Sequence, residues 1–268
     1  MYKQSACLIL IVILASGCQT GPSALDQAAT MIAQTVAAAP ATNTSLPPST
    51  PLPVKTSIPK ATATPNIALT TTVEAFGVLS EVDVRVGTNS GAPYREGYLA
   101  WKQDESVTID MTGPQKEAGV VQEIGENVHA SDFIFKSDVT WSASGLLICG
   151  LAFRAESNLD TGRQYKFQFV RFSGLPAYAI EVYENGLFRN SVSTVKYADH
   201  IDSSNEATNE FVLVAQDERF TVYINGEEQG QYYDVSKQRS EGLLAFHAWQ
   251  DSGNGSCTFE NSWLWILP

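Results

Sequence analysis

A chain of 268 residues with 17 basic and 29 acidic side chains, and a net charge of −12, argues against a nucleic-acid or anionic-membrane binder, because a field of that sign repels polyanions. The imbalance is unevenly placed. Up to Ala75 the chain carries only Lys3, Lys55 and Lys60 against Asp26 and Glu74, so 14 of the 17 basic and 27 of the 29 acidic residues follow, in a stretch long enough for one domain of ordinary size.

Residues 1–17 read as an export signal. Met1-Tyr2-Lys3-Gln4 is a short basic start, Cys7 to Leu14 is an unbroken apolar run, and Ala15-Ser16-Gly17-Cys18 closes it with small residues before a cysteine. The run falls well below the ~20 residues that span a bilayer. The pattern resembles the lipobox of bacterial lipoproteins, with Ala15 where leucine is usual, and so implies cleavage before Cys18 and diacylation of its thiol. The location expected is the cell membrane, lipid-anchored and facing outside the cytoplasm.

In residues 18–40, Met31, Ile32 and Val36 fall at roughly helical intervals behind Ser23 and Asp26 as N-cap candidates, which fits a short helix or a flexible stalk. Residues 41–75 are a linker. Of the 32 residues from Ala41 to Thr72, nine are Thr, six Pro, four Ala and three Ser. Such a composition buries too little to offset chain entropy, and its prolines favour an extended, disordered tether reaching on the order of 100 Å.

Residues 76–268 have a different texture, with short runs rich in Val, Ile, Phe, Tyr and Trp broken by Gly, Asn and Asp. Strands are predicted at 97–102, 106–111, 132–141, 146–155, 164–172, 177–184, 210–215, 219–224, 241–249 and 257–267, with no long helix. Asn185-Gly186 and Asn225-Gly226 each follow an alternating run and predict type I′ hairpin turns. So many half-buried strands require two packed sheets, an all-β, antiparallel jelly-roll sandwich. Cys7 leaves with the signal and Cys18 is acylated, so Cys149 and Cys257 are the two thiols of the folded part and outside the cytoplasm should form a disulfide.

Asp132-Phe133-Ile134-Phe135, Cys149-Gly150-Leu151-Ala152-Phe153-Arg154, the hairpin from Phe220 to Gln229, Glu241 to Phe246 and Cys257 to Ser262 are the most legible pieces. Their order resembles the concanavalin-A-like lectin/glucanase superfamily, whose sandwich is shared by laminin-G-type modules and by a bacterial family associated with 3-keto-disaccharide hydrolysis. The glucanases carry Glu-x-Asp-x-x-Glu on one strand. Here Glu81-Val82-Asp83-Val84-Arg85-Val86 starts that way and ends on Val86, so the segment reads as a polar-out edge strand and not as paired catalytic carboxylates.

Strand alternation points Ala152, Arg154, Lys166, Gln168, Glu181, Tyr183, His247 and Trp249 away from Leu151, Phe153, Phe167, Ile180 and Phe246. On one sheet face, Arg154, Gln168, Glu181, Tyr183, His247 and Trp249 would be accessible and form a polar groove with aromatic walls, suited to a glycan. The competing reading is a solvated face with an Arg154–Glu181 surface pair. Asp199-His200-Ile201-Asp202 and Asp251 to Gly255 offer loop oxygens for calcium but lack EF-hand spacing, so no cofactor is assigned. Trp263 and Trp265 share one face of the last strand and are expected to pack. The expected function is non-catalytic glycan binding, against the alternatives of a glycoside hydrolase-type enzyme acting on keto-disaccharides or a protein adhesion module.

Overall fold

The computed structural model describes residues 69–86, 92–111, 119–172, 175–251 and 253–268. The signal, Cys18 and nearly all of the predicted linker lie outside them. Among the described residues a helix, α1 (Leu69–Arg85), and a 3-10 turn (Ala92–Glu96) precede fourteen strands. These are β1 (Tyr98–Lys102), β2 (Val107–Asp110), β3 (Val120–Glu123), β4 (His129–Ala130), β5 (Phe133–Ala143), β6 (Leu147–Ala155), β7 (Gln164–Phe172) and β8 (Leu175–Glu184). After them come β9 (Leu187–Tyr197), β10 (Thr208–Gln216), β11 (Arg219–Ile224), β12 (Glu227–Tyr233), β13 (Gly242–Gln250) and β14 (Gly255–Ile266).

The strands form two antiparallel seven-stranded sheets. Sheet A has the order β1-β14-β5-β10-β11-β12 with β2 also on β14, and sheet B the order β3-β13-β6-β7-β8-β9 with β4 also on β13. Both Asn-Gly turns form as the sequence predicts: Asn185 and Gly186 have φ of 55° and 70°, Asn225 and Gly226 of 50° and 84°, and the flanking pairs Glu184–Leu187 and Ile224–Glu227 close two-residue hairpins.

Between the sheets lies an aromatic core. Phe246 of sheet B stacks on Phe259 of sheet A with ring centroids 4.2 Å apart, and Phe153 meets Phe220 edge to face at 5.2 Å. Cys149 on β6 and Cys257 on β14 form the expected disulfide, with Cα atoms 5.8 Å apart, so the bond crosses from one sheet to the other. Gly150 beside it is required by close approach: a Cβ there would stand 2.0 Å from the Phe167 carbonyl oxygen.

Two expectations are corrected at the N-terminal side. Residues 81–86 are not an edge strand, and a long helix does exist: α1 begins inside the predicted linker and runs through Glu81 and Asp83. Val82, Val84 and Val86 alternate as a strand would, but Val78, Val82 and Val86 also recur every four residues, and tertiary packing selects that period. These three valines bury against Ile134, Val212, Val214, Trp263, Trp265 and Leu267 on the outer face of sheet A, while Val84 stays 74% exposed. Trp263 and Trp265 therefore cover the sheet, as expected. The helix also explains why Phe133-Ile134-Phe135 and Phe211 to Val214 are apolar at both parities: both faces of the sheet are covered there. Among the described residues no helix is long and apolar enough to cross a membrane.

Candidate functional site

Sheet B carries no helix on its outer face among the described residues, and its register gathers a polar row there. Lys166 pairs with Ala152 on one side and Glu181 on the other; Gln168 pairs with Gly150 and Ala179; His247 pairs with Gly150 from β13. Gly150, Ala152, Ala179 and Ala245 supply a floor of small residues, so the long side chains lie over it and meet one another. Gln168 Nε2 donates to the Tyr183 hydroxyl at 3.0 Å, and that hydroxyl donates to Glu181 Oε2 at 3.0 Å. Lys166 Nζ stands 4.6 Å from the centroid of the Tyr183 ring, a cation–π contact. Five of the eight outward residues inferred from alternation, Lys166, Gln168, Glu181, Tyr183 and His247, are thus brought together, with Trp249 two residues beyond His247 on the same face.

Exposure differs from the expectation. Gln168, Glu181 and His247 are only 5%, 4% and 2% exposed, and Lys166 3%, leaving Tyr183 and Trp249 half-buried at the margin. The solvated-face reading fails for the same reason, and the charged groups respond to their burial. Desolvation lowers the Lys166 ammonium to about 8, with Glu181 opposing the shift, and raises the Glu181 carboxyl against the hydrogen bond from Tyr183 and the charge of Lys166. Desolvation also raises the Tyr183 phenol, and holds the His247 imidazole well below its usual range, aided by the Lys166 charge. His247 bonds the Val120 backbone through one ring nitrogen, while Nδ1 is buried with no partner among the described residues. A neutral imidazole in that state offers one unused acceptor.

Arg154 is not part of this row, and its assignment to the face is corrected. Alternation breaks at its own position, where φ is 47° and the β6–β13 register shifts between Leu243 and Ala245. The side chain turns to the end of the sandwich and becomes 1% exposed. There its guanidinium donates to the carbonyls of Ser131 (2.9 Å), Asp217 (2.7 Å) and Arg239 (3.4 Å) and to Asp132 Oδ1 (3.2 Å), with the Phe220 ring beneath it at 5.3 Å. It ties together three loops. Tyr165 donates to Asp234 beside it, and Asp234 also accepts from the Ser236 and Gln238 backbone amides at 3.1 and 2.8 Å, which folds the β12–β13 loop around that carboxylate.

A second polar surface was not anticipated. On the part of sheet A beyond α1, Thr208, Thr140, Thr258 and Thr108 stand in register across β10, β5, β14 and β2, with Oγ1 contacts of 2.6 Å between the first two and 2.9 Å between the last two. Glu260, Asp138 and Glu210 form the adjacent row, where Lys136 Nζ reaches Asp138 at 2.8 Å. Two shallow depressions of about 240 and 270 Å³ border this surface, below the ~300 Å³ at which small-molecule pockets begin. The proposed calcium loops gather no set of three metal-ligating side chains among the described residues. Asp202 instead accepts from the Ser204 amide at 2.9 Å, which lowers its own pKa.

No family model matches the chain, and no curated protein sequence does. Several solved structures align with part of the chain. A carbohydrate-binding module from Bacillus subtilis aligns over 58% of this chain and 92% of its own at 16% identity and a TM-score of 0.41. Sheep galectin-11 in complex with glycerol aligns over 57% and 99% at 9% identity and 0.39. A prokaryotic beta-1,3-1,4-glucanase (lichenase) derived from a mouse hindgut metagenome aligns over 61% and 81% at 10% identity and 0.42. Likeness at this level carries no argument about ligand or reaction; the two-sheet sandwich rests on its own strand pairing.

Proposed function

We propose that the chain is a concanavalin-A-like, glycan-binding sandwich held outside the cytoplasm by an acylated Cys18, and that sugars are taken on the outer face of sheet B. The observation that carries this reading is the linked row Gln168–Tyr183–Glu181 with Lys166 against the same ring. It combines hydrogen-bond donors, acceptors and aromatic edges over a floor of alanine and glycine. Tyr183 and Trp249 are the residues a polysaccharide would meet first.

Titration calorimetry against a panel of plant and bacterial polysaccharides tests the proposal. Trp249→Ala should weaken binding by ~1–2 kcal/mol through lost stacking, and Glu181→Gln should weaken it without unfolding the domain. Unchanged affinity in both variants places the site elsewhere. The anchor is tested separately: Cys18→Ser should abolish metabolic labelling by a fatty acid.

A second reading is enzymatic, with the membership in the keto-disaccharide hydrolase-type group that the sequence resemblance implies. The observation in its favour is the concentration of shifted groups, Lys166, Glu181 and His247, in one row. Turnover of 3-keto-disaccharides by the parent, lost in Glu181→Gln, would establish it; binding without turnover would leave the first reading.

A further inference from the structure

The two Asn-Gly hairpins are a matched pair with one difference. Asn185 and Asn225 are both exposed, both left-handed at φ of 55° and 50°, and each is followed by a glycine that also has positive φ. In each, the asparagine backbone amide is anchored, to the Thr161 carbonyl at 2.8 Å and the Glu210 carbonyl at 2.9 Å. The carboxamides are not alike. Asn225 Nδ2 donates to the His200 carbonyl at 2.6 Å and to Asn209 Oδ1 at 2.9 Å, and its Oδ1 accepts from the Glu210 amide at 2.8 Å. The Asn185 carboxamide makes no hydrogen bond among the described residues.

We propose that Asn185 is a site of spontaneous deamidation and that its counterpart Asn225 is protected by those three hydrogen bonds. The Gly186 backbone nitrogen attacks Asn185 Cγ. A new N–C bond forms, the bond from Cγ to the carboxamide nitrogen breaks, and ammonia leaves with the proton lost by the amide. Water then opens the five-membered imide at either carbonyl, giving aspartate or isoaspartate. Water is the only co-reactant. Glycine is the favourable neighbour because no Cβ shields its nitrogen, and a Cβ at Gly186 would find only the Asp160 carbonyl, 3.8 Å away. Attack requires the carboxamide to swing onto the main chain, which Asn185 can do once its hairpin tip rotates and Asn225 can do only after breaking its side-chain bonds as well.

A third Asn-Gly pair, Asn254-Gly255, is restrained through its backbone. Asn254 N donates to Ser144 Oγ at 3.1 Å, its carbonyl accepts from Ser144 N at 3.1 Å, and Gly255 is buried at the start of β14. Conversion at Asn185 has a local consequence. The new carboxylate would stand next to Glu184, which already pairs with Arg163 at 2.8 Å and Arg189 at 3.3 Å, and isoaspartate would lengthen the turn that sets the β8–β9 register.

The test is incubation of the purified folded protein at alkaline pH and 37 °C with timed peptide mapping by mass spectrometry and isoaspartate detection. Asn185 should convert at least about tenfold faster than Asn225, because three hydrogen bonds must part at the latter. The same protein, reduced and unfolded in urea, should convert the two sites at similar rates, and Asn185→Gln should remove the new species from the β8–β9 peptide. A smaller lead in the folded state overturns the assignment, as does an intact Asn185 under conditions where the unfolded chain converts.

Discussion

Trp263 Nε1 donates to Glu81 Oε2 at 3.0 Å, so the first carboxylate of a glucanase-like Glu-x-Asp run is bound to the far end of the chain as a helix fastener. The second, Asp83, accepts from both Arg95 Nε (3.2 Å) and Nη2 (2.9 Å). Neither faces a partner carboxylate across a groove, so the resemblance at this segment is one of letters. Val82, 1% exposed beneath the same helix, gives the test. Val82→Ala should cost about 1–3 kcal/mol in denaturant unfolding, and Val82→Asp should detach α1 and expose apolar surface to a hydrophobic dye.

Arg154→Met should destabilise the domain by about 3–5 kcal/mol, since it removes the buried guanidinium that Asp132 and three loop carbonyls share. Arg154→Lys should recover little, because one ammonium cannot serve four acceptors in a plane. Equilibrium unfolding measures both. Under the groove assignment drawn from alternation the same substitutions would have changed ligand affinity with little change in stability, so the two outcomes are opposite.

The Cys149–Cys257 bond, spanning 108 positions, should contribute on the order of 4–5 kcal/mol by closing that loop in the unfolded chain. Thiol counting on denatured, unreduced protein should find neither cysteine free, and reduction should lower the melting temperature. Two reactive thiols in protein recovered from outside the cell would refute the pairing.

Lys166 and His247 predict a particular pH dependence. The folded Lys166 has a pKa of about 8, below its unfolded value, so the native state binds fewer protons and its burial penalty is relieved as pH rises from about 8 towards about 10.5. Stability of the parent relative to Lys166→Met should therefore increase across that interval, by on the order of 2–3 kcal/mol. His247 is also depressed in the folded state, so its contribution is lost as pH falls through the unfolded value near 6.5, where the unfolded chain takes up a proton that the native imidazole refuses. His247→Gln should flatten the acid limb. Urea unfolding at a series of pH values reads both, and parallel curves for parent and variants would show that these groups are solvated.

The ten predicted strands are all present because each sets apolar residues at alternate positions against a core that the sequence displays openly. Four others have no predicted range, although the two Asn-Gly hairpins imply a returning strand after each turn. β9 and β12, at Leu187–Tyr197 and Glu227–Tyr233, are edge strands whose exposed polar side chains carry little periodic signal, and β3 and β4 are short. The candidate row was legible as a set of outward residues, since period-two reasoning needs only a correct register. Its failure at Arg154 has a local cause: a bulge adds one residue to the count, and nothing in Phe153-Arg154-Ala155 announces it. The burial of the row was not legible either, because alternation assigns a side to each residue and says nothing of what the long side chains do once they lie beside one another.

The helix over sheet A fixes where the folding unit must be cut. A polypeptide begun at Phe76, where the texture of the sequence changes, would keep Val78, Val82 and Val86 but lose the first two turns of α1, and short helices are marginal without their full length. Fraying would uncover Trp263, Trp265, Ile134 and Val214 together, a contiguous apolar patch on an otherwise acidic particle. Beginning at or before Leu69 should give a monodisperse preparation where a start at Phe76 aggregates.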